Sequence, residues 1–350
     1  MTFTFGIFDS FDLGDSTPGQ VIADRLGFAV AAEAAGIGHY HVTEHHGTPL
    51  SVCPSPNLFL AALSQRTTRM RIGALVHVLP SYEPLRLAEE IATLDQLCHG
   101  RLDVGVGRGV SPYELAFFGV KAEESRAIFT ETLDVLTRAL ATGRMVHQGR
   151  LLRDYDVELS VRPVQRPHPP LWYASSNTDS AEWAGANNVN FVGRWNGGRF
   201  AGAAEAYWAA WRRAHGADAA PPRLGVAATV CIGATDDEAL RRYRRANAIF
   251  CQQLTWLWHR NGDHRGDAYA DTEAQLRNGT ALVGSAETVR DLLIEQIERA
   301  PVNYFEGTFA FGDLTGAEAR ENLRAFAEVV MPAVRQAAAR RTGVPGAAGA

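Results

Sequence analysis

Residues 70–109 read MRIGALVHVLPSYEPLRLAEEIATLDQLCHGRLDVGVGRG, and this stretch alternates two kinds of element. Met70 to Val78 and Arg101 to Val106 are short apolar runs, which predict buried strands. Between them, Pro84 to Cys98 repeats apolar residues at helical spacing and ends before Gly100, which predicts a helix. A strand, a helix and a second strand in this order form the repeating unit of a parallel sheet covered by helices.

The same alternation continues along the chain. The first helix is predicted from Pro18 to about Ala35 with Thr17 as its N-cap, and a late helix begins with a capping-box pattern at Thr315 and Glu318. Six further strands are predicted, at Phe3 to Phe8, His39 to Thr43, Leu171 to Ala174, Val189 to Val192, Arg223 to Ile232 and Val302 to Phe309. About eight strand–helix pairs in 350 residues predict an α/β fold of the (β/α)₈ TIM-barrel type, with a doubly wound open sheet as the alternative.

Two stretches interrupt this rhythm and are predicted to be insertion segments. Met145 to Pro170 is rich in proline, and Phe250 to Gly284 fits no single element. Long loops of a barrel often cover the binding site, so the second stretch (about 250–284) is predicted to be a lid. We predict one domain over residues 1–340 and a disordered tail over residues 341–350.

The composition limits the class of protein. Apolar residues make up 46% of the chain and charged residues 21%, and a net charge of −5 gives no reason to expect nucleic acid or an acidic membrane as partner. No secretory signal and no apolar stretch of membrane-spanning length is visible, and the four cysteines show no CxxC spacing. We therefore expect a cytoplasmic protein with reduced thiols.

Glu44, His45 and His46 follow the second predicted strand directly. The carboxyl ends of the strands carry the active site of a barrel, and a polar cluster at such an end is costly to bury without a purpose. The two histidines are candidates for acid/base catalysis, and a satisfied structural histidine is the alternative. No metal-ligand spacing accompanies them, so no metal site is predicted.

A glycine-rich turn follows the fourth predicted strand, from Gly105 to Gly109. It fails the dinucleotide fingerprint because the sixth position is Val110. The glycines instead favour a flat ligand lying close to the backbone. Arg108 is a candidate phosphate ligand, and a surface ion pair is its alternative.

Two further groups of candidates carry weaker signals. Ser175, Ser176 and Asn177 precede a predicted helix, so they indicate either phosphate binding or ordinary N-capping. Three tryptophans are candidates for the wall of a substrate cavity, or equally for the core or a subunit interface: Trp195, Trp256 and Trp258.

Taken together, these segments resemble the bacterial luciferase-like, flavin-dependent monooxygenase family over nearly the whole chain. The most specific stretches are Thr43 to His46, Ile72 to Pro80, Pro84 to Glu90, Leu94 to Leu97, Gly100 to Gly109, Ala181 to Ala184, Trp195, and Leu282 to Ser285. Each stretch is a weak signal by itself, but their order and spacing are specific.

The resemblance implies a TIM barrel that binds reduced FMN at the carboxyl ends of its strands. Leu75 and Val76 occupy the place where the family often has a non-proline cis peptide under the flavin ring. Gly107 and Arg108 belong to the implied cofactor site, where Arg108 looks like a phosphate ligand.

The same resemblance implies roles for side chains on both sides of the flavin. Ser175, Ser176 and Ser180 look like further contacts of the phosphate. Glu44 looks like a polar anchor beside the flavin, and His45 looks like an acid/base group at its reactive edge.

The implied activity is that of an FMN-dependent monooxygenase of the EC 1.14 type. Reduced FMN from a separate NAD(P)H:flavin reductase would react with O₂ to a C4a-peroxyflavin, which oxygenates a small organic substrate. A homodimer is also implied. Two alternatives remain open: a deazaflavin (F420)- or NAD(P)H-dependent oxidoreductase that transfers hydride, and a non-catalytic flavin-binding subunit.

The chain departs from luciferase itself near the substrate side of the implied site. Gly47 replaces an aromatic residue, Gly107 replaces a cysteine, and the loop from Val110 to Tyr113 differs, with Tyr113 as a candidate substrate contact. A long-chain aldehyde substrate and light emission therefore do not follow from the resemblance.

Overall fold

The structure is a computed structural model that describes residues 3–216 and 219–341. The predicted tail, residues 341–350, lies outside the described residues except for Arg341. The strands are β1 (Thr4–Asp9), β2 (His39–Val42), β3 (Arg71–Val78), β4 (Leu102–Gly107), β5 (Arg144–His147), β6 (Tyr155–Glu158), β7 (Leu171–Ala174), β8 (Asn190–Arg194), β9 (Leu224–Ile232), β10 (Ala281–Gly284) and β11 (Tyr304–Thr308).

The helices surround these strands. They are α1 (Pro18–Ala34), α2 (Pro56–Ser64), α3 (Pro84–Leu97), α4 (Pro112–Phe117), α5 (Ser125–Thr142), α6 (Thr178–Ala186), α7 (Phe200–His215), α8 (Asp236–Arg260), α9 (Thr272–Arg277), α10 (Ala286–Arg299), α11 (Gly316–Ala325) and α12 (Met331–Ala339). Short 3₁₀ helices cover Leu79–Ser81, Asn196–Gly198 and Arg265–Tyr269, and a π-helical turn, Phe326–Val330, joins α11 to α12.

Eight parallel strands close into a barrel in the order β1, β2, β3, β4, β7, β8, β9 and β11. The barrel closes through β9. One edge of β9 pairs with β11. The other edge pairs with β8 along the first part of the strand and with β10 along the last part. These eight strands are the eight that the sequence predicts, so the predicted TIM barrel is confirmed. The doubly wound open sheet is excluded because β8 and β9 pair.

The local signals at the helix ends act as predicted. The Thr17 side chain accepts a hydrogen bond from the backbone N–H of Gln20 at the start of α1. Thr315 and Glu318 form the complete capping box at the start of α11. Such caps satisfy backbone donors that the first helical turn leaves free.

The two insertion segments differ in content. The segment from Met145 to Pro170 holds most of an antiparallel hairpin, β5 with β6. The segment from Phe250 to Gly284 forms no single element, as predicted, but contains parts of several elements. Its first eleven residues belong to the long helix α8, and its last four form β10.

The amino-terminal half of the barrel interior is polar. His39 and His41 alternate along β2 with Tyr40 and Val42 and bind the Asp103 carboxylate, at 2.8 Å from His39 Nδ1 and 3.3 Å from His41 Nε2. His41 Nδ1 also lies 2.5 Å from Glu306 Oε1. Burial by itself lowers the pKa of His41, but the carboxylates of Glu306 and Asp103 outweigh it and raise the pKa to about 9.

The Asp103 carboxylate is shared by several donors. Arg71 Nε donates to its other oxygen at 2.8 Å. Burial raises the pKa of Asp103, but Arg71 and the two histidines hold it well below its ordinary value. The side chains of His39, His41 and Asp103 offer metal-type ligand atoms within 4.8 Å of one another. Because Asp103 already receives Arg71, we interpret this cluster as an internal ion-pair network that fills the barrel.

Candidate active site

Glu44 lies at the carboxyl end of β2, as predicted, but its carboxylate is turned into the protein. The side chain is fully buried. Its oxygens accept hydrogen bonds from Tyr82 Oη at 2.7 Å and from the Val78 backbone N–H at 3.3 Å, and they lie 2.9 Å from His46 Nε2 and 3.5 Å from Ser81 Oγ. Burial and the Glu44 charge raise the pKa of Tyr82. Glu44 therefore ties the end of β2 to the end of β3 and positions both.

His45 has the surroundings of an acid/base group. Its side chain is about one-fifth exposed (20%), and its Nδ1 lies 3.2 Å from Glu114 Oε1. Its Nε2 forms no hydrogen bond within the described part of the chain. A carboxylate that orients one ring nitrogen and leaves the other free is typical of catalytic histidines.

His46 differs from His45 because its Nε2 is taken by Glu44. Its backbone N–H donates to Glu114 Oε2 at 2.8 Å. Glu114 is a site residue that the sequence reasoning missed. Ser111 followed by Glu114 has the spacing of a capping box, and Ser111 Oγ does cap α4. The Glu114 carboxylate, however, binds the two histidines.

The end of β3 is irregular beside the predicted flavin position. The Leu75–Val76 peptide is cis, and the register between β3 and β4 shifts between Ala74 and His77. A Cβ atom at Gly105 would lie 2.2 Å from the Ala74 carbonyl oxygen, and one at Gly107 2.3 Å from Val76 Cγ2. The close approach that these glycines permit is thus to β3 itself, whereas the sequence suggested a flat ligand.

Arg108 follows β4 and is exposed. Within residues 3–216 and 219–341 its guanidinium has no hydrogen bond and no ion pair, so the alternative of a surface ion pair is not found there. β7 pairs with β4, which brings Ser175 and Ser176 to the neighbouring strand end. Asn177 caps α6 by accepting from the Ser180 N–H at 3.2 Å. The cap is therefore an asparagine, and Ser176 Oγ instead holds the backbone of Arg194.

Helix α8 borders the mouth from one side of the barrel to the other. In its first half, Arg245 Nε lies 3.0 Å from Asp313 Oδ2, in the loop after β11. Near its end, the Trp258 ring packs edge-on against Tyr113, which follows β4, with 5.6 Å between ring centroids. Tyr113 Oη also donates to Asp263 at 2.8 Å. The segment predicted as a lid thus contacts α4, the helix that follows the loop of Arg108.

The other two tryptophans have different surroundings. Trp256 is partly exposed on α8 and has the Arg260 guanidinium 5.1 Å from its ring centroid. Trp195 is only 4% exposed and packs against Gly279 and under Arg299. Trp195 thus has the core position that the sequence left open as its alternative.

Two further observations concern the state of the cysteines and the composition of the helices. Cys53, Cys98, Cys231 and Cys251 are free and buried. Among the described residues, no helix combines the length and the apolar composition needed to cross a membrane.

The comparisons with known proteins agree on one family. The family model described as luciferase-like monooxygenase matches residues 3–304. The uncharacterised protein y4wF of Sinorhizobium fredii is 34% identical over 319 residues, which cover 89% of this chain and 91% of that protein.

Two solved structures share the fold. Monooxygenase RslO1 from Streptomyces bottropensis has a TM-score of 0.82 at 25% identity, covering 94% of this chain and 99% of that one. The oxygenating constituent of 3,6-diketocamphane monooxygenase from Pseudomonas putida, in complex with FMN, has a TM-score of 0.76 at 22% identity, covering 95% and 99%.

Proposed function

This chain belongs to the luciferase-like monooxygenase family, and from that membership we propose that it is a flavin-dependent monooxygenase that uses reduced FMN and O₂ to oxygenate a small organic substrate. The observation that carries the proposal is Arg108, whose guanidinium has no partner among the described residues and which follows the strand next to the one that leads into α6, at the same mouth as His45. A charged donor for the cofactor and a group for proton transfer are thereby present together.

The residues around Arg108 fit the phosphate of FMN. A guanidinium binds phosphate oxygens through two parallel hydrogen bonds, and the start of a helix adds free N–H groups and a partial positive charge. We propose Arg108, Ser175, Ser176 and Ser180 as phosphate contacts. Leu75, Val76 and Gly107 would then lie against the flavin ring, since Leu75 belongs to the apolar cluster inside the barrel and Val76 packs against that cluster.

Bound reduced FMN supplies the electrons with which O₂ is activated. The task left to this chain is to hold the cofactor, exclude water and move protons. We assign the proton transfer to Nε2 of His45, which Glu114 orients through Nδ1. Glu44 and His46 act as positioning residues in this proposal because the Glu44 carboxylate and His46 Nε2 are hydrogen-bonded to each other.

We propose that a separate NAD(P)H:flavin reductase delivers the reduced flavin in the cytoplasm. The absence of a dinucleotide fingerprint from the sequence supports a separate source of electrons. The FMN-bound structure with the same fold is likewise an oxygenating constituent. Four unpaired, buried cysteines suit a reducing compartment.

We also propose a homodimer. An open groove of about 660 Å³ lies between α2 and α3, and its lining includes Leu58, Leu85 and Leu97. Leu58 is 73% exposed and Leu97 is 42% exposed. Such an apolar surface is expected where a second copy docks. Light scattering on Leu58→Glu and on the unchanged protein would detect loss of the dimer.

The test of the function is an anaerobic titration with reduced FMN, followed by rapid mixing with O₂ and a reductase-coupled assay with a substrate panel. We expect reduced FMN to bind and O₂ to be consumed with substrate. Arg108→Gln should weaken FMN binding by about 10- to 100-fold, as expected for lost charge-assisted hydrogen bonds.

Each alternative has its own outcome in the same experiments. Binding and anaerobic reduction of F420, without use of O₂, would establish the hydride-transfer oxidoreductase instead. Binding of FMN without turnover, until a second protein other than a reductase is added, would establish the non-catalytic subunit.

A further inference from the structure

Arg194 ends β8 and points into the mouth of the barrel. Successive side chains of a strand point to opposite faces. Phe191 stacks on Phe200 of the outer helices at 6.2 Å, whereas Val192 belongs to the apolar cluster inside the barrel with Trp172. Arg194 follows Val192 by two residues, so its side chain lies on the inner side, one step nearer the carboxyl end.

The backbone of Arg194 is fixed, and its side chain is free. Ser176 Oγ accepts from the Arg194 N–H at 3.0 Å and donates to its carbonyl oxygen at 3.3 Å. In the ranges 3–216 and 219–341 the guanidinium has neither a hydrogen bond nor an ion pair. Arg194 is exposed and, in this part of the chain, unpaired, whereas the less exposed Arg25 and Arg71 pair with Asp9 and Asp103.

The charge of Arg194 is not balanced by a neighbouring carboxylate. Surrounding protein lowers its pKa, and the ionisable groups that act on it are Tyr243 and Cys251 of α8. Burial raises the pKa of both of these, so both are neutral at pH 7. Arg194 is exposed at the mouth, and a cation there without a counter-ion is available to bind an anion.

The wall next to this cation is apolar. Ala227 is the register partner of Arg194 on β9, and Val192, two residues before Arg194 on the same face of β8, belongs to the interior apolar cluster. Small-molecule pockets commonly combine an apolar wall with one charged group that fixes orientation. The ligand that suits this pocket has an apolar body and one negative charge.

We propose that Arg194 binds an anionic group of the substrate, so that the enzyme acts on small organic anions, carboxylates first among them. This inference rests on the proposed function, because it assigns the substrate class of that same site. The phosphate of FMN is the other anion at this mouth. Arg108 and the start of α6 are assigned to it because they follow β4 and β7; Ser176 contacts only the backbone of Arg194, and the ionisable groups that act on the Arg194 side chain belong to α8.

The test uses the full chain, both without FMN and loaded with FMN, and measures binding by calorimetry. The probes are benzoate and cyclohexanecarboxylate, each paired with its neutral amide. The variants are Arg194→Gln, Arg194→Lys and Arg194→Glu, and circular dichroism confirms that each is folded. FMN binding and competition by inorganic phosphate are measured for every variant.

We expect the unchanged protein to bind each carboxylate at least about 10-fold more tightly than its amide, as for one charge-assisted contact. Arg194→Gln should remove this preference while leaving amide and FMN binding unchanged. Arg194→Lys should retain most of it, and Arg194→Glu should reverse it in favour of the neutral amide.

Three results would overturn the inference. One is an unchanged protein that does not prefer carboxylates, and another is a preference that survives in Arg194→Gln. The third is that Arg194→Gln loses affinity for FMN and that inorganic phosphate competes with benzoate. That result would show that the Arg194 guanidinium binds the FMN phosphate and not the substrate. Because the probes are also measured without FMN, failure of the chain to bind flavin would overturn the proposed function separately.

Discussion

Replacing Glu44 by alanine tests whether this residue anchors two strand ends. The carboxylate has four neighbours that supply hydrogens, at 2.7, 2.9, 3.3 and 3.5 Å, and the side chain is fully buried. Removing one partner from a buried, hydrogen-bonded charge costs about 3–5 kcal/mol. We therefore expect Glu44→Ala to lower the free energy of unfolding by about that amount.

Two milder variants show how much of this loss in the free energy of unfolding comes from individual interactions of Glu44. Tyr82→Phe removes only the 2.7 Å hydrogen bond to Glu44 and should cost about 1.5–3 kcal/mol, the usual range for a hydrogen bond to a charged group. Glu44→Gln keeps the shape but replaces one acceptor by a donor, so its cost should lie between those of the other two variants.

The assay is urea unfolding at pH 7 followed by tryptophan fluorescence, with FMN affinity measured in parallel. The dependence on urea should keep its slope, since the surface exposed on unfolding is unchanged. A Glu44→Ala protein within about 1 kcal/mol of the unchanged protein, but unable to bind FMN, would refute the anchoring role. It would support Glu44 as a direct flavin contact instead.

Three further predictions concern other parts of the chain. His45→Ala should spare FMN binding but lower kcat by roughly 100-fold or more, and Glu114→Gln should shift the pH profile of kcat; unchanged turnover in His45→Ala would exclude the acid/base role. The pKa of His41 is raised from 6.5 to about 9, so its contribution to stability is full below pH 6.5 and is lost as the pH rises through 9, at up to about 1.4 kcal/mol per pH unit. Unfolding measured across this range should show the decline, and His41→Asn should flatten it; an equal slope in both proteins would contradict the assignment. Limited proteolysis should cut residues 261–280 before residues 250–260, which are helical, and FMN should protect the first segment; equal cutting with and without FMN would argue against a lid.

Local patterns in the sequence determined the elements and their order. Most of the eight barrel strands are short, largely apolar segments bounded by turn residues, and the starts of α1 and α11 are set by Thr17 and by the pair Thr315 and Glu318. These signals depend on residues within one turn or one strand, so they can be read without knowledge of the fold. The place of Glu44 and its two histidines at a strand end follows from the same patterns.

The local patterns did not predict elements that are short or that lie inside an insertion segment. β10 has four residues and is stabilised mainly by its position on the edge of β9. The carboxyl-terminal part of α8 is rich in tryptophan and was assigned to the insertion, although the helix continues to Arg260. In both cases tertiary packing decides where local preference is weak.

The partners of the polar side chains were decided only by the tertiary structure. Glu44 meets Tyr82 38 residues away, His45 meets Glu114 69 residues away, and His41 meets Glu306 265 residues away. Closing the barrel brings these strand ends and inner faces together, and no periodicity along the chain encodes which polar groups then meet. The sequence by itself therefore determined a barrel with a polar cluster at its mouth. The closed fold decided that Glu44 is an anchor and that, among residues 3–216 and 219–341, His45 keeps a free nitrogen and Arg108 and Arg194 keep unpaired charges. Hydrogen bonds and ion pairs form between groups that only barrel closure brings within reach.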